Sequence, residues 1–121
     1  KKKLTDTSFR GTRMSDFNFK MIPATLAAEY LQKAKCSLDI QHPFQTGLTM
    51  RTIEVLGAKR KLITTNQEIM TYDFYNENNI MVVDRFNPVI DTDFIFSPFM
   101  DIDNTVYEKY SLEKWLDDIL D

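Results

Sequence analysis

The stretch "NIMVVD", residues 79–84, is apolar at four consecutive positions, Ile80 to Val83. A strand with one wet face alternates apolar and polar side chains, whereas a strand covered on both faces is apolar throughout. The run therefore predicts a strand sandwiched between helices, the usual setting of a parallel sheet. Two further strands precede it, "CSLDIQ" (36–41) and "KLITT" (61–65). Between them "LTMRTIEVLGAK" (48–59) predicts a helix, and "NQEIMTYDFY" (66–75) a short one. The middle of the chain is thus β-α-β-α-β, which points to a mainly parallel sheet with right-handed crossovers.

Working outward, "ATLAAEYLQKAK" (24–35) sets Ala27, Tyr30, Leu31 and Ala34 on one helical face. In "DFNFKMIP" (16–23) Phe17, Phe19 and Met21 alternate with polar residues, which predicts a half-buried strand ended by Pro23. After Asp84 the period dissolves into "RFNPVIDTDFIFSPFMDID" (85–103), expected to be loop. The chain closes with "SLEKWLDDIL" (111–120), a helix with Leu112, Trp115, Leu116 and Ile119 on one face behind Ser111 as N-cap. The expected fold class is α/β, a three-layer Rossmann-like domain with a mainly parallel sheet of about four strands. Residues 1–15 are expected to form a linker or poorly ordered lead-in, and 16–121 the folded domain.

The 121 residues suit one domain, and a hydrophobic share of 43% is enough for a real core. A net charge of -3 argues against a nucleic-acid footprint, which needs a basic face. Lys59, Arg60 and Lys61 fall where a helix finishes, and cations suit that end of its dipole. Cys36 is the single cysteine, so no intramolecular disulfide forms, and a buried inert thiol is the simplest expectation. No apolar run reaches the length of a bilayer span. Lys1 to Lys3 are followed by polar residues rather than a signal-peptide core. With no starting Met, the chain is expected to be a fragment of a longer one.

In an open parallel sheet, ligands bind outside the carboxyl ends of the strands. The loops at 42–47, 65–67 and 84–88 occupy such places. The first delivers Gly47 next to a helix start, with Thr46 as the expected N-cap. Amides of Gly47, Leu48 and Thr49, aided by the helix dipole, would favour a phosphate. Glu54 would then lie about 10 Å along the helix, at 1.5 Å per residue, within reach of a nucleoside's sugar hydroxyls. The plainer alternative makes Arg51 and Glu54 an i, i+3 surface pair.

"LDIQHPFQTGLTMRTIEVLGAKRKLITTN", with "YDFYN" and the terminal "YEKYSLEKWL", resembles bacterial GT-B-type glycosyltransferases of lipopolysaccharide and capsular polysaccharide biosynthesis. The likeness spans roughly residues 24 to 120 and implies the carboxyl-terminal, donor-binding half of such an enzyme. By that resemblance His42, Gln45, Thr46, Gly47, Leu48 and Thr49 face the diphosphate of a nucleotide-sugar. Glu54 contacts the ribose or the sugar, Thr65 and Asn66 line the same cleft, and Arg51 is the candidate cation for the departing diphosphate. Many such families carry a second glutamate eight positions before the helical one; here that position is Thr46. The resemblance further implies no resident cofactor or metal and an amino-terminal acceptor domain in the same chain. It implies a cytoplasmic enzyme, peripheral at the inner face of the membrane, and admits a homodimer. The fragment alone is not expected to turn over.

Rival motifs carry less. Asp91-Thr-Asp93 and Asp101-Ile-Asp103 match the metal-binding pair of GT-A glycosyltransferases, but an aspartate-rich chain produces such matches by chance. His42, the single histidine, suits a phosphate contact, a general base or a loop-satisfying role. Asp39 stands between Leu38 and Ile40 as a single acid within the first strand, suited to face the cleft. A response-regulator receiver would need an acidic pair on its first strand and a late lysine, neither of which can be placed. Tyr72, Phe74 and Tyr75 suit the edge of a core. The rival class is a non-catalytic α/β module that binds a nucleotide, another anion or a protein.

Overall fold

The computed structural model describes residues 10–120, with the Trp115 side chain outside the described part. Three parallel strands form one sheet in the order β1-β2-β3: β1 (Cys36–Asp39), β2 (Lys61–Thr64) and β3 (Ile80–Val82). Cys36 pairs with Lys61 and Leu38 with Ile63; across the other seam Leu62 pairs with Ile80 and Thr64 with Val82. The helices are α1 (Ala24–Lys33), α2 (Met50–Gly57), α3 (Thr92–Phe96), α4 (Asn104–Lys109) and α5 (Leu112–Leu120). The fold is mixed α/β.

The alternation of side chains along β2 sends adjacent residues to opposite faces. Leu62 and Ile80 join Val55 and Leu56 of α2, Ile69 and Phe74 in the larger core cluster, with Leu31 of α1 and Val106 of α4 packed against it. Ile63 and Val83 meet Phe94 of α3 on the other face. All four residues of β2 are buried, as the doubly covered environment requires. The cover is unequal, however. Leu38, on the α3 face of β1, is 57% exposed.

The third residue from each end of α2 shows why it forms where it does. Thr52, Val55 and Leu56 are its buried positions, spaced three and four apart. Thr49 caps it, its hydroxyl accepting from the Thr52 amide at 3.2 Å. The N-cap is therefore Thr49 and not Thr46. Gly47 has a φ of 74°, in the left-handed region that no helix residue adopts, so the helix cannot begin before it. At the far end Lys59 reverses the chain at φ 53°.

Four other expectations are corrected. The stretch 16–23 makes no strand: Phe19 and Met21 are exposed and no strand among the described residues pairs with them, while Met14–Asp16 form a 3-10 turn. The sheet accordingly has three strands among the described residues. Residues 66–75 hold only a 3-10 helix, Gln67–Thr71, started by Asn66, whose side chain accepts from the Glu68 amide. The stretch 85–103 contains α3, and α4 follows directly. Asp91 and Asp103 cap them, accepting from the amides of Asp93 and Thr105. The two Asp-x-Asp matches are thus built around helix caps. Ser111 keeps its expected role, accepting from the Lys114 amide at 3.1 Å. No helix of the described residues is long and apolar enough to cross a membrane. Residues 1–9 of the expected lead-in lie outside the described residues.

Candidate functional site

The carboxyl ends of the three strands gather a network that begins at Asp39. Its carboxylate is buried at the end of β1 and accepts a 2.9 Å hydrogen bond from the Thr49 hydroxyl. The same Thr49 oxygen caps α2, so one side chain fixes the head of the helix to the end of the strand. The backbone joins in, since the Thr65 amide donates to the Asp39 carbonyl at 3.2 Å. The Gln41 amide donates to the Thr65 hydroxyl at 3.0 Å.

The loop between Asp39 and α2 is tied down from within and from without. Gln41 donates its side-chain amide to the carbonyls of Gln45 and Gly47. Asn66, buried at 1% exposure, donates to the same Gly47 carbonyl at 2.9 Å. The Gly47 amide donates to the Glu68 carboxylate at 2.9 Å. Arg85, on the loop after β3, donates from its guanidinium to the Gln41 carbonyl. Two segments about twenty residues apart in sequence, 42–49 and 65–66, thus lie against one another.

The expected site residues divide among different tasks. His42 accepts from the Phe44 amide through Nδ1 at 3.3 Å and lies exposed on the loop. Gln45 closes a turn onto the His42 carbonyl at 2.9 Å, and Thr46 is exposed. Leu48 packs against the larger core cluster. Thr49, Thr65 and Asn66 carry the network already described. Glu54 forms a 2.9 Å ion pair with Arg51, both about half exposed. These two line a groove of about 400 Å³ between α1 and α2, shared with Ala28 and Leu31. Because α2 starts at Met50, Glu54 lies four residues in, or about 6 Å along the axis rather than 10 Å.

Sequence reasoning passed over Gln41, Glu68 and Arg85. Gln41 borders the loop and bonds it locally, whereas Glu68 and Arg85 are joined to it only by the folding of separate segments. Asp39 was visible as a lone acid, yet its partner Thr49 was not. The chain matches no protein-family model, no curated protein and no solved structure.

Proposed function

We propose that this chain is the nucleotide-sugar-binding part of a GT-B-type glycosyltransferase serving bacterial lipopolysaccharide or capsular polysaccharide synthesis. The observation that carries the reading is the meeting of 42–49 with 65–66 at the carboxyl edge, through Asn66 on the Gly47 carbonyl, with Gln41 just before the loop donating to the Thr65 hydroxyl. Those are the segments that the resemblance assigns to one donor cleft. They also lie where a parallel sheet offers ligands its strand ends.

In this reading the diphosphate lies at the head of α2 and Glu54 takes the ribose hydroxyls about 6 Å further along. Glu54 must leave Arg51 to do so, an exposed pair whose rupture costs about 0.2–1 kcal/mol. Arg85 joins Arg51 as a cation for the departing diphosphate, which is stabilised electrostatically without a metal. Glu68 on the Gly47 amide shows a carboxylate accepted at one of the donors that the diphosphate would use. The domain is then the carboxyl-terminal Rossmann-like half of the enzyme, acting in the cytoplasm at the inner membrane face, with the acceptor and the general base supplied by an amino-terminal half.

Calorimetric titration with UDP, GDP and CMP tests it. Binding of one of these nucleotides, with a loss of tenfold or more in Glu54→Ala, about 1.4 kcal/mol, is the expected result. Silence from all three with folded protein would leave the rival reading, a protein-interaction module. That reading is favoured by one specific feature: Ile40, Phe44 and Phe86 are each exposed after the carboxyl ends of the strands, Phe44 at 90% and Phe86 at 92%.

A further inference from the structure

We infer that the amino-terminal edge of the sheet holds a separate anion site, which binds a phosphoryl group among Lys35, Lys59, Arg60 and Lys61. The four cations line a pocket of about 220 Å³ together with Ser97 and Phe96 from the end of α3. Helix ends account for part of this charge. Lys59 and Arg60 follow α2, and Arg60 donates through Nη2 to the Gln32 carbonyl near the end of α1 at 2.6 Å. They do not account for Lys61, which is the first residue of β2 and only 2% exposed.

Lys61 places its ammonium 4.5 Å from the Phe94 ring centre and donates to the Phe94 carbonyl at 2.6 Å and to the Ser97 hydroxyl. Its partners are neutral. A buried ammonium without a carboxylate is expensive, and an anion in the adjoining pocket would repay part of that expense. Arg60 lines the same pocket, and its Nε is buried with no hydrogen-bond partner among the described residues. Among the four cations the ion pair present is Lys59 with Asp101, at 3.3 Å and largely exposed. Lys35 lies over the Phe96 ring at 4.7 Å. The excess of positive charge exceeds what a carboxylate would neutralise, so a phosphate dianion is the better match. Burial lowers the pKa of Lys61 from its ordinary value.

The test is calorimetric titration with inorganic phosphate and with phenyl phosphate against chloride of equal ionic strength. The variants are Lys35→Gln/Lys59→Asn and, as an exposed cation outside the pocket lining, Lys114→Gln. Asn tolerates the left-handed backbone at position 59, so this pair of changes removes charge while sparing the fold, which circular dichroism checks. Saturable binding tighter than about 1 mM, weakened at least tenfold in the double variant and unchanged in Lys114→Gln, is expected. Tighter binding of phenyl phosphate would mark the ligand as a phosphorylated molecule seated on Phe96; equal binding would mark free phosphate. Absence of saturable binding, a double variant within twofold of the parent, or an equal loss in Lys114→Gln would overturn the inference.

Discussion

Replacing Thr49 by Val removes a hydroxyl that serves two structures at once. The cap on α2 contributes about 0.5–2 kcal/mol, and a hydrogen bond to a carboxylate about 1.5–3 kcal/mol. Thr49 is half-buried rather than sealed, which places the combined loss toward the lower end, about 2–3 kcal/mol. Val keeps the branched shape, so the loss reports the hydroxyl and not a cavity. In urea, with a slope of about 1–3 kcal/mol/M for a domain of this size, the unfolding midpoint should fall by about 0.7–3 M. Thr49→Ser keeps both bonds and should lose less than about 1 kcal/mol. Asp39→Asn combined with Thr49→Val closes a double-mutant cycle, with an expected coupling of about 1 kcal/mol or more. A Thr49→Val midpoint equivalent to less than about 0.5 kcal/mol, or a Ser variant as damaged as the Val one, would refute the shared role.

The other expectations concern the loop, the buried cation and the carboxyl-terminal segment. Glu68→Gln weakens the hold on the Gly47 amide, and UDP affinity measured by calorimetry should rise severalfold if the diphosphate uses that donor. Gly47→Ala should cost about 1 kcal/mol in urea unfolding through its left-handed backbone alone, since a Cβ there meets no atom within 4 Å. Because the folded chain holds the Lys61 proton less tightly than the unfolded one, this group contributes stability that increases with pH up to its unfolded value of 10.5. Unfolding at pH 8, 9 and 10 should therefore show wild type gaining on Lys61→Met as pH rises. Burial, with Asp73 accepting from its hydroxyl at 2.6 Å, pushes Tyr110 up to about 12. Tyr110→Phe should lose about 1 kcal/mol at neutral pH. That difference should be lost as pH rises from 10 toward 12, and ultraviolet titration should find the phenol at the upper value.

The strands at 36–39, 61–64 and 80–82 were legible because each is short and bounded by turns, and the last lies in an unbroken apolar run. The false strand at 16–23 had the alternation but no neighbour; a period of two describes a side-chain pattern, and only a partner turns it into a sheet. Thr46 has the side chain of a cap, but Gly47 just after it rules it out through its φ, and Thr49 takes the role. The caps at Asp91 and Asp103 were written plainly, yet the surrounding prolines and aromatics hid the short helices behind them. The loop network was legible in part: Thr65, Asn66 and Gly47 were grouped by resemblance, while Glu68 and Arg85 reach the loop across distances that no local pattern records. Lys61 looked like the tail of a helix-end charge cluster because its strand parity, which points it inward, is set by the register with Cys36.

The order β1-β2-β3 bears on how the chain acquires this shape. Each strand docks beside its immediate predecessor, as with Cys36 on Lys61 and Leu62 on Ile80, so no strand has to insert between two already paired. Crossovers this short carry a modest closure entropy, and doubling one would add only about 0.6 kcal/mol. β2 is the shared member of both pairings and is buried at every position. Its amides should exchange with deuterium last, and the sheet should come apart from its two outer strands inward.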